Sequence, residues 1–269
     1  MSVTTVAGIH EVVINVGGVP LSLHTNDPAF SELLRNRYGD FLGEAPGEIT
    51  FDVELVDPIP VTDDAETLVT LRGADWVLER GDFYAEWNAE RRLGRIRQSA
   101  NPYSIDSVLR IVYTLILARQ GGFLVHAASA TRDNKAFLFS GLSGAGKTTI
   151  SRLTPPNAKL LTDEISFVRR IGSEYRAFGT PFAGDFGKPG ENVSAPVATL
   201  YFLDKAETNS VAPVPPAEAV RRLMRNILFF THDKESVNLV FQSACAFVAA
   251  VPTRRLGFYP DERVWDVIE

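Results

Sequence analysis

The chain has 269 residues, 45% of them hydrophobic and 22% charged, with a formal net charge of −6 and a pI near 5.4. That length holds one large domain or a core domain with a smaller companion, and the composition is that of a globular protein, not a disordered one. The acidic balance argues against general binding to nucleic acid or an anionic membrane, while leaving room for a local basic pocket.

Met1 to Asn15 shows no basic segment followed by an apolar one, so no secretory leader is expected. The first hundred residues then read as β-rich. Val12 to Val16 and Val19 to Leu23 flank Gly17-Gly18, the pattern of a hairpin. Asp27 and Pro28 open a short helix carrying Phe30, Leu33, Leu34 and Tyr38, with Asp27 as the cap and Pro28 at the first helical position. Ile49 to Leu55 alternates as a strand, and Leu68 to Leu71, Trp76 to Glu79, Phe83 to Trp87 and Leu93 to Ile96 are expected to continue it as a meander. No motif in this stretch attaches to chemistry, so residues 1–100 are expected to form an accessory or substrate-facing domain. Trp76, Trp87 and Trp265 read as packing residues.

Asn101 to Gln120 brings Ile105, Val108, Leu109, Val112, Leu115 and Ile116 to one helical face, and Gly121-Gly122 ends it. Its apolar part, Ile105 to Ala118, carries Asp106 and Arg110 and is too short to span a bilayer. Phe123 to His126 and Ala136 to Ser140 are short apolar strands, with a polar turn at Arg132 to Lys135. Leu160-Leu161, Ile165 to Val168, Tyr175 to Phe178 and Val197 to Leu203 read as further strands. Val211 to Pro216 reads as a surface loop, followed by helices over about Pro216 to Phe229 and Glu235 to Val251, and Leu256 to Tyr259 returns to the sheet edge. Cys245 has no partner for an intramolecular disulfide, which points to a reducing, cytoplasmic setting. Its apolar neighbours suggest a buried, inert thiol.

Chemistry enters at Gly141-Leu142-Ser143-Gly144-Ala145-Gly146-Lys147-Thr148, which matches G-x-x-x-x-G-K-[ST] directly after an apolar strand and before a helical segment. Glycines there let backbone N–H groups turn inward around phosphate oxygens. Lys147 would reach the β- and γ-phosphates of ATP, and the Thr148 hydroxyl would hold Mg2+. Gly141, Ser143, Gly144, Ala145, Gly146, Lys147, Thr148 and Thr149 are the expected nucleotide contacts. Only about sixteen positions beyond Lys147, Leu161-Thr162 leads into Asp163-Glu164, an apolar strand ending in two acids. With so little chain between, one short helix must lead straight to the neighbouring acidic strand, which argues against a Ras-like or transporter-ATPase architecture. Thr148, Asp163 and Glu164 are the expected metal ligands. His126 falls at the end of the strand before the loop strand, where a core or capping role is the commoner one for a single histidine.

The run Val125-His126-Ala127-Ala128-Ser129-Ala130, the loop through Ser151, and Leu161-Thr162-Asp163-Glu164 together resemble the kinase core of ATP-dependent phosphoenolpyruvate carboxykinase and, equally, the catalytic domain of HPr serine kinase/phosphorylase. The resemblance covers roughly residues 123–205. It implies an α/β fold with a P-loop core on a mixed sheet, a kinase domain over residues 101–269, and a small β-rich N-terminal domain. It also implies catalytic roles for His126, Lys147 and Asp163, with Asp163 as the base toward the acceptor hydroxyl. The chain departs from both families in showing Asp-Glu where they show Asp-Asp. It is far shorter than a carboxykinase, and it lacks the downstream signature of authentic HPr kinases. The looser group of HPr-kinase-like proteins, some similar over Leu256 to Ile268, fits better; it implies transfer to a serine-type hydroxyl of a peptide, protein or small molecule. The HPr kinases form ring-shaped oligomers, which makes a homo-oligomer an expectation carried by the resemblance.

Two other readings stay open. The chain is an ATPase or nucleotide-gated switch in which Glu164 activates water, or a nucleotide-binding scaffold without turnover. Two weaker features complete the picture. Gly179 to Asn192 is a long glycine-rich connection, read evenly as a solvent loop or as a cover that brings Asp185 or Lys188 to the ligand. Arg221, Arg222 and Arg225 recur at helical spacing, more simply a solvated face than a contact to an acidic ligand.

Overall fold

The structure, a computed structural model, describes residues 8–58 and 66–268. The first seven residues of the stretch read for a leader lie outside them. The chain is mixed α/β with two mixed sheets and divides into two compact units. One runs to Ile111 and includes Phe230–Asp233; the other holds Val112–Phe229 and the chain from Lys234. The division falls inside the helix Pro102–Arg119 and not ahead of it. None of the described helices is long and apolar enough to cross a membrane.

In the first unit, β1 (His10–Val16) and β2 (Val19–Thr25) pair across Gly17-Gly18. Both glycines have positive φ, 63° and 72°, as the turn whose twist matches a two-residue hairpin requires. The helix α1 (Pro28–Tyr38) starts where the Asp27 carboxylate accepts from the Phe30 N–H at 2.8 Å, and it buries Phe30, Leu34 and Tyr38. The strands β3 (Ile49–Leu55), β4 (Leu68–Arg72), β5 (Asp75–Arg80), β6 (Phe83–Asn88) and β7 (Leu93–Gln98) complete the sheet in the order β1-β2-β3-β7-β6-β5-β4. The meander holds from β4 to β7 but does not continue from β3, which runs parallel to both β2 and β7. With α1 bridging β2 to β3, the chain arrives at β3 in the parallel sense. Trp76 and Trp87 are buried in this unit.

The helix α2 (Pro102–Arg119) is buried on nearly every side, not along one stripe, and Asp106 is buried with it. Next come β8 (Phe123–Arg132), β9 (Lys135–Ser140), α3 (Lys147–Arg152), β10 (Ala158–Thr162), β11 (Ile165–Ile171), β12 (Glu174–Phe178), β13 (Ser194–Lys205), β14 (Ser210–Pro213), α4 (Pro216–Met224), α5 (Lys234–Ala250) and β15 (Thr253–Phe258). The strand β8 is longer than expected and continues past His126 into the hairpin turn at Asp133-Asn134, both at positive φ.

On one side of β8 lies β9. On the other, β10 pairs with its far half and β11 with its near half. The acidic strand β10 is therefore separated from the loop strand β9 by β8, where the sequence suggested direct neighbours. The parallel strands β9, β13 and β15 follow, with β14 antiparallel at the edge. The last strand is thus internal, and the edge is the Pro-containing stretch expected as loop; an edge strand tolerates a residue without an N–H. The helix α4 stops at Met224 instead of Phe229. Beyond it the backbone pairs with β8: the His126 N–H donates to the Asn226 carbonyl at 2.7 Å and the Leu228 N–H to that of Leu124 at 2.9 Å. Satisfying the open flank of β8 outweighs one more helical turn. Cys245 is half-buried, not buried, because it flanks the inward stripe Val240, Ser243, Ala244 and Phe247 of α5.

Candidate functional site

Three separate segments meet beside the middle of β8. Its partner β9 ends at Ser140, opposite Ala127, and passes directly into the glycine-rich loop. Across β8, β11 begins at Ile165, opposite His126, so the Asp163-Glu164 turn between β10 and β11 lies at the same level. The Thr162 hydroxyl shapes that turn by accepting from the N–H groups of Glu164 and Ile165, each at 3.2 Å. A pocket of about 340 Å³ results, lined by His126, Ser143, Gly144, Gly146, Lys147, Thr148, Thr149, Asp163, Glu164 and Asp185.

The loop that shapes this pocket is conformationally specific. Gly146 has φ 112°, and a Cβ there would sit 2.6 Å from the Phe258 ring, so both backbone and space demand glycine. Lys147 is buried and donates from Nζ to the carbonyls of Gly141 at 2.9 Å and Leu142 at 3.3 Å. Burial pushes its ammonium below the ordinary value of 10.5, and the Glu164 charge partly restores it.

Asp163 is buried, and each carboxylate oxygen has a backbone donor: Oδ1 accepts from the Gly184 N–H and Oδ2 from the Phe186 N–H, both at 2.9 Å. Glu164 Oε1 stands 3.7 Å from His126 Nε2, too long for a hydrogen bond but close enough for attraction once the imidazole is charged. The Gly179 to Asn192 connection is accordingly no free solvent loop. Its Gly190 and Glu191 N–H groups donate to the Thr180 and Leu160 carbonyls, and at Gly184 an added Cβ would meet Glu164 Cβ at 2.8 Å.

Against these geometric facts stand the comparisons. The family model of SynChlorMet cassette protein ScmC matches residues 96–269. The chain belongs to the ScmC family. No curated protein matches it. Among solved structures it is similar to the Hpr(Ser) kinase/phosphatase from Coxiella burnetii, at 17% identity over 44% of this chain and 92% of that one. The TM-score is 0.27, a likeness too low to establish a shared fold.

The ScmC match takes in the whole pocket, from His126 to Asp185. Of the residues expected from sequence, Gly141 and Ala145 do not line it. Gly141 packs toward Leu203, and Ala145 packs against the cluster that contains Phe258 and Trp265. Asp185 does reach the pocket, held between the two residues whose amides grip Asp163. Lys188 does not; its ammonium lies 5.7 Å from the Phe186 ring. Sequence reasoning missed the two amide donors and Phe258. The only signal for them was the glycine content of the connection and an aromatic residue ending the last strand.

Among the described residues no three His, Cys, Asp or Glu side chains are grouped so as to hold a metal by themselves. The side chains in the pocket that could take part in holding a metal are the Thr148 hydroxyl and the carboxylates of Asp163 and Glu164.

Proposed function

We propose that this chain is an ATP- and Mg2+-dependent kinase that moves the γ-phosphate to a hydroxyl, serine-type, of a peptide, protein or small molecule. The observation that carries it is the convergence of Lys147, Thr148, Asp163, Glu164 and His126 on one pocket from three separate segments. A kinase core of the type shared by phosphoenolpyruvate carboxykinase and the HPr kinases is part of the same proposal. So are a substrate-facing role for the first unit and a cytoplasmic setting.

In this reading the acceptor oxygen attacks the γ-phosphorus, the bond to the β-phosphate oxygen breaks, and ADP leaves. Asp163 takes the acceptor proton, its carboxylate held at fixed angle by the Gly184 and Phe186 amides. The Lys147 ammonium and the loop amides offset charge on the phosphates. Thr148 and Glu164 would hold magnesium, which supplies charge neutralisation when bound. His126 steadies Glu164 and lies beside the transferred group. Little bond-making falls to the protein, so positioning and electrostatics supply the rate.

Incubation of the protein with γ-labelled ATP, magnesium and fractionated cell extract tests this, with Lys147→Ala as the control. Label entering one fraction with the wild type alone establishes transfer, and the fraction identifies the acceptor class; Lys147→Ala is expected to lose at least about 100-fold. Label released only as free phosphate would favour the ATPase reading, which the exposure of Glu164 toward the pocket supports. Lys147→Ala turning over at the wild-type rate would reject the site altogether.

A further inference from the structure

A second pocket, of about 230 Å³, abuts the beginning of the same loop. Its walls include Gly141 and Leu142, Asp204 at the end of β13, and Arg221, Arg222 and Arg225. Three hydrogen bonds tie its walls to the first pocket. The Lys147 ammonium donates to the Gly141 and Leu142 carbonyls, and the His126 N–H donates to the carbonyl of Asn226, which also lines the second pocket. The two cavities are neighbours across one layer of backbone.

The three arginines are not equivalent. Arg222 is fixed: its Nη1 donates to both Asp204 oxygens at 3.1 Å and its Nε to Glu218 at 2.8 Å. Arg221 and Arg225, one helical turn apart, are exposed, and among the described residues neither guanidinium has a hydrogen bond or ion pair. Some exposed arginines of this chain do have a carboxylate partner, as Arg92 with Glu48 and Arg97 with Glu54. Here two are left open in a concave site. Guanidinium recognises planar oxyanions in paired hydrogen bonds. Leu142, 67% exposed, sets an apolar surface beside them, which suits an organic acid better than inorganic phosphate.

We propose that this pocket anchors the phosphoryl acceptor, and that the acceptor carries a carboxylate gripped by Arg221 and Arg225. Arg222, held by Asp204 and Glu218, ties the helix to the end of β13. The proposal rests on the kinase reading for the word acceptor. The carboxylate belongs either to an acidic residue beside a serine in a peptide or to a free hydroxy acid.

Calorimetric titration of the full chain with four probes tests it: a serine peptide flanked by glutamates, its glutamine counterpart, glycerate and glycerol. At least one carboxylate probe is expected to bind the wild type at least 10-fold tighter than its neutral counterpart. Whichever does so identifies the source. The double variant Arg221→Gln, Arg225→Gln, with an unchanged melting temperature, should lose that preference while keeping wild-type affinity for ATP. No carboxylate preference in the wild type overturns the proposal. So does a preference that survives in the double variant, or an ATP affinity that falls with it. The two readings separate when labelled ATP is added. Arginine-dependent carboxylate binding without label transfer sinks the kinase and spares the pocket; transfer at equal rates to acidic and neutral probes does the reverse.

Discussion

In the first unit the buried Asp106 carboxylate accepts from the Tyr38 hydroxyl at 2.7 Å and from the Arg37 guanidinium, and buried Asp82 accepts from Arg80 and Ser104. In the second unit Lys147 and Asp163 are comparably buried, yet both line an open pocket and take their partners from backbone. Side-chain charge in the first unit closes on itself. The hydrogen bond it donates to Asp106 holds the Arg37 guanidinium above its ordinary range, a sign of a satisfied pair. In the second unit burial holds the Lys147 ammonium below its ordinary value, with the Glu164 charge partly offsetting it. One unit uses buried charge to fix its own packing; the other sets it in the lining of a pocket.

Four substitutions probe that contrast, from the largest expected effect down. Asp163→Asn is expected to lower phosphoryl transfer by about 100- to 1000-fold, roughly 3–4 kcal/mol of barrier, with ATP binding retained. Its amide NH2 would confront the Gly184 or Phe186 N–H, so hydrogen exchange at those two amides should accelerate. Transfer at the wild-type rate would remove Asp163 from the chemistry.

Asp106→Ala removes a buried acceptor of the Tyr38 hydroxyl and the Arg37 guanidinium, and should cost about 3 kcal/mol in denaturant titration. ATP affinity is expected to stay the same; if it fell, the contrast between the units would break. Gly146→Ala should show the opposite pairing, a smaller stability loss of about 1–3 kcal/mol from strain at positive φ and the Phe258 contact, with ATP binding lost.

The smallest effect is one of pH. Because the folded pKa of Lys147 lies below 10.5, the unfolded chain binds its proton more tightly. Stability therefore rises with pH through the folded pKa toward 10.5. Denaturant midpoints over that window should rise in the wild type relative to Lys147→Met; a parallel pair of curves would mean the ammonium carries no burial cost.

Features set by neighbours in sequence were legible in advance. The Gly17-Gly18 hairpin, the Asp27 cap, the strand, loop and helix from Lys135 to Arg152, and the acid pair after a short strand each depend on a few consecutive residues. The loop residues Ser143, Gly144, Gly146, Lys147, Thr148 and Thr149 line the first pocket, whereas Gly141 and Ala145 do not. What local pattern missed was set by strand partners. Nothing in Ile49–Leu55 encodes parallel neighbours, and nothing in Val211–Pro213 says that an edge of β15 needs covering.

By itself, the sequence determined that a glycine-rich turn, a lysine and two acids would be present, and that backbone at Gly146 could adopt φ 112°. Only the tertiary structure decided that β8 separates the acid strand from the loop strand, and that the Gly184 and Phe186 amides clamp Asp163. It likewise decided that α4 ends at Met224 so that Asn226 can complete β8, beside the pocket where Arg221 and Arg225 stand open. Those outcomes depend on unpaired backbone groups finding partners tens of residues away, a demand that exists only once the sheet has formed.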